Sequence, residues 1–125
     1  MEPATLTHFA QAYTDEDEAF LQEAIEKVLQ SWEAFPGPLS HFTIAVARDH
    51  QAKRYLIQML RRPRHIQESD TLAHLEVKNG KIYIEADTTE EGVGTELLAA
   101  GVPKNRIVLA FYPRKMREAG DFAVD

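Results

Sequence analysis

The sequence predicts an α+β domain: an antiparallel sheet built from hairpins, one long N-terminal helix packed on it, and a second short helix. Three observations carry this expectation. Apolar residues recur with a helical period between Asp15 and Phe35. The period changes to two in "HFTIAVA", "RYLIQMLRR", "TLAHLEVK" and "KIYIEA". Asn79-Gly80 stands between the last two runs, and both residues tolerate the positive φ that a two-residue hairpin turn requires.

The helix comes first. Thr14 or Asp15 can cap it, and the acids Asp15 to Glu18 suit its positive N-terminal end. Phe20, Leu21, Ala24, Ile25, Val28, Leu29, Trp32 and Phe35 form its apolar stripe. Pro36-Gly37-Pro38 ends it. About 19 residues at 1.5 Å each span roughly 28 Å, enough to cross a sheet. Next come two strands joined by the polar turn "RDHQAK", with Phe42, Ile44 and Val46 on one face of the first. In the second, Tyr55, Ile57 and Met59 face one way, Leu56 and Leu60 the other. A basic link, "RRPRHIQESD", leads to the Asn-Gly hairpin. A two-residue turn pairs Lys78 with Lys81, Val77 with Ile82, Glu76 with Tyr83, Leu75 with Ile84, His74 with Glu85 and Ala73 with Ala86. The short helix follows in "TTEEGVGTELLAAG", with Thr88 and Glu91 at capping-box spacing and Gly101 at its left-handed end. "RIVLAFY" reads as a buried strand and "GDFAVD" as a short final one.

The chain of 125 residues is the length of one domain, residues 1–125, with 1–14 as an N-terminal extension. It has no cysteine, which excludes disulfides, thiolate zinc sites and iron–sulfur clusters and makes the cytoplasm the expected compartment. No apolar run approaches the length of a membrane span. The net charge of −6 is uneven. Residues 1–33 hold eight acids and one base, whereas residues 48–65 hold six bases and one acid. A free-standing nucleic-acid module needs a clear basic excess, so this balance favours a protein partner.

Each pattern with a chemical reading has a simpler structural one. Glu76-Val77-Lys78 has the E-x-K form of metal-dependent nucleases, but no aspartate stands at a suitable upstream position, and a strand leading into a turn explains the triplet. His74-Leu75-Glu76 has the H-x-E form of zinc deaminases, whose chemistry needs cysteines this chain lacks. The histidines at 8, 41, 50, 65 and 74 have no close ligand spacing. "EGVGTE" lacks the Lys-Ser/Thr of a phosphate loop. No nucleophile or acid–base couple stands out, so the expectation is a protein that is not an enzyme and holds no cofactor or metal.

The segments "ARDHQAKRYLIQML", "HLEVKNGKIYIEADTTEEGVGTELLAAGVPKNRIVLAF" and "GDFAVD" resemble the XisI family, the fdxN element excision controlling factors. The likeness runs from about Thr43 to Asp125, with the long helix in its expected place; Arg106 and Tyr112 depart from the family pattern. The resemblance implies a small α+β protein that acts with XisH, a nuclease-like partner, in controlling excision of a DNA element in cyanobacteria. An inhibitor of such a nuclease, in the manner of an antitoxin or immunity protein, is the alternative. The resemblance supplies no catalytic residues. The partner surface is sought outside the apolar stripes, at Arg48, Asp49 and His50, at Arg61, Arg62 and Arg64, and at Arg114 and Arg117. The free edge of the sheet is a place where two copies can pair as a homodimer.

The charge balance yields a first prediction. Isolated protein should bind duplex DNA only with a dissociation constant of about 1 µM or weaker at physiological salt, because it can neutralise few phosphates. A sequence-specific nanomolar complex in a mobility-shift titration without any partner would refute it.

Overall fold

A computed structural model describes residues 14–35, 42–61 and 66–125. The extension at 1–13, the Pro36-Gly37-Pro38 stop, His8, His41, Arg62, Arg64 and His65 lie outside the described residues. The elements are α1 (Asp15–Glu33), β1 (Phe42–Asp49), β2 (Arg54–Arg61), β3 (Glu68–Lys78), β4 (Lys81–Asp87), α2 (Val93–Ala99), β5 (Ile107–Val108) and α3 (Arg114–Glu118). The sheet order is β1-β2-β3-β4-β5. The first four strands are antiparallel, and β5 joins β4 in parallel.

Helix α1 starts at Thr14, the residue before the acidic run. The Thr14 hydroxyl accepts from the Asp17 backbone N–H at 3.2 Å, and the Asp17 carboxylate accepts from the Thr14 N–H at 3.2 Å. This reciprocal box satisfies two otherwise orphaned donors and holds Asp17 fully buried. Leu21, Ala24, Ile25, Val28 and Leu29 form the buried stripe. Phe20 and Phe35, at the margins of the predicted stripe, are exposed, whereas Trp32 is partly buried.

The stripe packs in one cluster with Tyr55, Ile57, Ala73, Leu75, Val77, Ile82 and Ile84 from one face of the sheet. Removing most of one such Leu or Ile side chain costs about 2–5 kcal/mol, a large share of the roughly 5–15 kcal/mol that holds a domain folded. Charged contacts tie the helix to the β1–β2 end. Lys53 reaches Glu18 at 2.6 Å. Arg48 donates from Nε and Nη2 to Glu26, each at 2.8 Å, and from Nη2 to Glu33 at 2.7 Å. Trp32 Nε1 donates to Glu96 at 2.9 Å, joining α1 to α2; burial pushes the Glu96 carboxyl up despite that bond.

The β3–β4 hairpin turns at Asn79 (φ 53°) and Gly80 (φ 73°), both in the left-handed region that a type I′ turn demands. The predicted pairing holds from Lys78↔Lys81 to Leu75↔Ile84. A bulge between His74 and Leu75 then shifts it, so His74 faces Ala86 and Ala73 faces Asp87, not Glu85 and Ala86 as the ideal ladder requires. A second irregularity interrupts the β2–β3 ladder between Ile57 and Gln58.

The short helix corrects the predicted cap. Thr88 donates its backbone N–H to the Leu72 carbonyl at 2.8 Å instead of capping. Helix α2 begins only at Val93, after Gly92 at φ 90°, and Asp87 serves its entry: one carboxylate oxygen accepts from Val93 N–H at 2.7 Å, the other from Thr89 N–H at 2.9 Å. The predicted strand "RIVLAFY" contracts to Ile107–Val108. The chain leaves β4 there and returns once, where Phe111 N–H meets the Ile84 carbonyl at 3.2 Å. Arg106 is buried and donates to the Gly80 carbonyl at 3.2 Å, fastening the hairpin turn to the strand beside it. The tail forms no extended strand; a single bridge pairs Ala123 with Val108. Helix α3 lies in a segment for which the sequence pattern predicts no element. Among the described residues no helix is long and apolar enough to cross a membrane.

The Arg48 clamp yields a prediction about acid. Hydrogen bonds from Arg48 hold the Glu26 and Glu33 carboxyls below their ordinary value of 4.5. The unfolded chain therefore binds more protons than the folded one in the acid range. The stabilisation is complete above the ordinary value and drains away as pH falls through the lowered ones. Arg48→Met should lower stability at neutral pH and flatten the acid limb of the stability curve, measured by denaturant titrations from about pH 3 to about pH 7. An unchanged acid limb would assign acid sensitivity to other groups.

Candidate functional site

The sheet has one covered face. On the other, alternation brings together Thr43, Ala45 and Ala47 of β1, Arg54, Leu56, Gln58 and Leu60 of β2, His74, Glu76 and Lys78 of β3, and Tyr83 of β4. At its centre is a polar network. Arg54 meets His74 Nε2 at 3.0 Å and Glu76 at 3.2 Å. Lys78 lies 3.7 Å from Glu76 and 4.5 Å from the centre of the Tyr83 ring. The E-x-K triplet thus lies on the polar side of the hairpin as expected, but only Lys78 is exposed: the Glu76 side chain, at 15% exposure, is largely covered by its neighbours. Cations on both sides occupy the Glu76 carboxylate, which a metal ion would have to displace. Among the described residues no three histidines, aspartates or glutamates are grouped to hold a metal ion.

The candidate partner residues that the structure describes fall into three separate places; Arg62 and Arg64 lie outside the described residues. Arg48 and Asp49 end β1, and His50 starts the turn. Arg48 lies on the helix-covered face and is committed to Glu26 and Glu33. The Asp49 carboxylate accepts from Ala52 N–H at 2.9 Å, and the His50 ring packs edge-on against Tyr55. Arg61 is at the opposite end of the same ladder, paired with Phe42; six steps of strand separate it from Arg48, about 20 Å. It makes exposed ion pairs with Glu68 at 3.3 Å and Asp70 at 3.1 Å. Arg114 and Arg117 stand together on α3, next to β5 at the far edge of the sheet. The fold therefore does not merge these cations into one patch.

Their engagement differs as well. Arg114 meets Asp125 at 2.5 Å and Glu118 at 3.4 Å. The hydrogen bond from Arg114, with weaker attraction from Arg117 and Lys81, holds the Asp125 carboxyl below the ordinary range. Lys81 also donates to the Asp125 backbone carbonyl. Arg117 donates from Nη1 to the Tyr112 carbonyl at 3.0 Å and makes no ion pair at contact distance. Its Nε is buried with no acceptor among the described residues.

Beside Arg117 is an apolar hollow of about 170 Å³, lined by Leu109, Tyr112, Met116, Phe122 and Ala123. Reading "RIVLAFY" as a buried strand conceals it, because the early end of β5 leaves Phe111 and Tyr112 exposed. The available local signal was Pro113, which cannot continue a hydrogen-bonded strand interior. At the other edge, β1 offers an eight-residue strand whose first six residues, Phe42–Ala47, carry no charge.

The XisI protein family model matches residues 16–124. Solved structures share the fold, among them those of a XisI and a XisI-like protein. The fdxN element excision controlling factor XisI from Anabaena variabilis superposes with a TM-score of 0.73 at 24% identity, covering 87% of this chain and 99% of that one. A XisI-like protein from the same organism gives 0.74 at 22% identity, covering 83% of this chain and 95% of that one. No curated protein matches the sequence.

The open-face network yields a prediction. Replacing Glu76 and Lys78 together by alanine should cost no more than about 1 kcal/mol, the scale of solvated ion pairs, and leave any DNA-related activity in place. Tight Mg²⁺ binding by the wild type that the double variant loses, read by calorimetry, would restore the nuclease reading.

Proposed function

This chain belongs to the XisI family, and on that premise we propose that it is a non-catalytic accessory protein that controls excision of a DNA element through a nuclease-like XisH partner. The observation that carries the reading is the family match across almost the whole domain. The described side chains support it from another direction. The polar clusters are closed ion-pair networks on a hairpin, a helix and a tail. None combines a nucleophile, a base to activate it and an enclosed pocket. A net charge of −6 suits association with a protein better than a grip on phosphates. The uncharged edge of β1 is the place on this reading where a second copy can pair.

A second reading draws on the acidity of α1, where Asp15, Glu16 and Glu23 are exposed at its N-terminal half. An acidic surface can occupy the cation-rich groove of a nuclease, which makes the same partnership inhibitory.

Co-expression with a XisH-like protein tests both. The wild type should co-purify with it, and failure to do so would undercut the partnership. In a nuclease assay of the complex, preserved or directed cleavage supports the accessory role; at least about tenfold suppression, equivalent to 1.4 kcal/mol, supports the inhibitory one.

A further inference from the structure

Resting on that partnership, we propose that the hollow beside α3 is the docking socket: it takes one large apolar side chain from an acidic segment of the partner, with a neighbouring carboxylate on Arg117. The size of the hollow sets the class of ligand. Cofactor and drug-sized sites run from about 300 Å³ upward, whereas an apolar cavity of about 150 Å³ accepts a benzene ring. At about 170 Å³ this hollow holds one aromatic or branched side chain. Leu109, Phe122 and Ala123 form apolar walls, and the rim is Tyr112 at 39% exposure and Met116 at 53%. Adaptable Met and aromatic rims are typical of surfaces that receive a partner's anchor.

Arg117 decides the charge. Its Nη1 is spent on the Tyr112 carbonyl, while the Nε–Nη2 edge has no acceptor among the described residues, and Nε is enclosed. That edge is the side-on fork of a guanidinium, the geometry that receives both oxygens of a carboxylate. An incoming carboxylate meets the open Nη2 first and reaches the enclosed Nε only as the Arg117 side chain shifts, which then satisfies a donor that has no acceptor among the described residues. The last segment carries five bases, Lys104, Arg106, Arg114, Lys115 and Arg117, against the acids Glu118, Asp121 and Asp125, although the chain as a whole is acidic. The acids are taken up by Lys104 and Arg114, which leaves Arg117 with no ion pair at contact distance. The other cationic candidates are less suited: Arg48 is locked to two glutamates of α1, and Arg61 already has Glu68 and Asp70.

The test begins without the partner. N-acetyl-L-phenylalanine and its uncharged amide are titrated into the full chain, with the Met116 methyl and the Arg117 Nε–H followed by NMR. The acid should shift both signals saturably. The amide should bind about tenfold or more weakly, for want of the charge-assisted pair. Arg117→Gln should bring the acid down to the affinity of the amide. No saturable shift at Met116, or equal affinity for both probes, overturns the proposal. In co-expression, Arg117→Gln and Met116→Asp should each lose the partner at a yield of folded protein equal to wild type. Retention by Met116→Asp overturns the assignment, as does a change in its sedimentation with the partner still bound, which would place a second copy in the hollow. Probe binding with no partner retained by the wild type sinks the accessory reading and leaves the ligand class standing. Absent probe binding with the partner retained sinks the socket alone.

Discussion

The rest of the structure depends on one contact: the α1 stripe of Leu21, Ala24, Ile25, Val28 and Leu29 against the apolar face made by Tyr55, Ile57, Leu75, Val77, Ile82 and Ile84. A twisted sheet of four antiparallel strands cannot leave such a face in water, and a 19-residue helix is long enough to cross it. Once the helix is in place, the charges around it follow. Glu26 and Glu33 end up over Arg48, and Glu18 over Lys53, at one end of the covered face. These pairs are half-solvated, so they orient the helix more than they hold it. The apolar contact supplies the stability.

Covering one face leaves the other to interact. That face has a polar centre, Arg54 with His74 and Glu76, and small or aliphatic residues around it. The less settled part of the fold is the β5 corner. A two-residue parallel strand, a buried arginine on the Gly80 carbonyl and a single bridge at Ala123 close the sheet with few backbone bonds. Apolar residues that a longer strand would have buried are left at the surface there, beside a guanidinium that is only partly used.

The charge distribution has a related logic. The acids concentrate on α1, where the N-terminal half of the helix favours them and the outer face is solvated. The bases concentrate in the strand ends and the C-terminal segment. Where the two sets meet, at the β1–β2 end, they pair across the α1–sheet contact.

By itself the sequence determined the elements whose causes are local. The helix start is local: the sequence offers Thr14 or Asp15 as its cap, and the structure uses Thr14 with Asp17 one turn on. The helical period of Leu21 to Leu29 needs nothing outside the helix. Asn79-Gly80 sets the hairpin register as far as Leu75↔Ile84, because turn geometry acts on its nearest pairs. Tertiary structure alone decided what depends on residues distant in the chain. The bulge at His74 arises where β3 must serve β2 and β4 at once. Asp87 takes over the entry to α2 from six residues away, since Thr88 is held by the Leu72 carbonyl across the sheet. Arg48 stands one residue from a polar turn and looks available, yet its partners lie 15 and 22 residues earlier, in a helix that reaches it only after packing. The hollow at Arg117 is of the same kind. Its walls come from the turn after β5, from α3 and from the tail, and a composition of "LAFYP" and "GDFAV" has no volume until the chain turns back on itself.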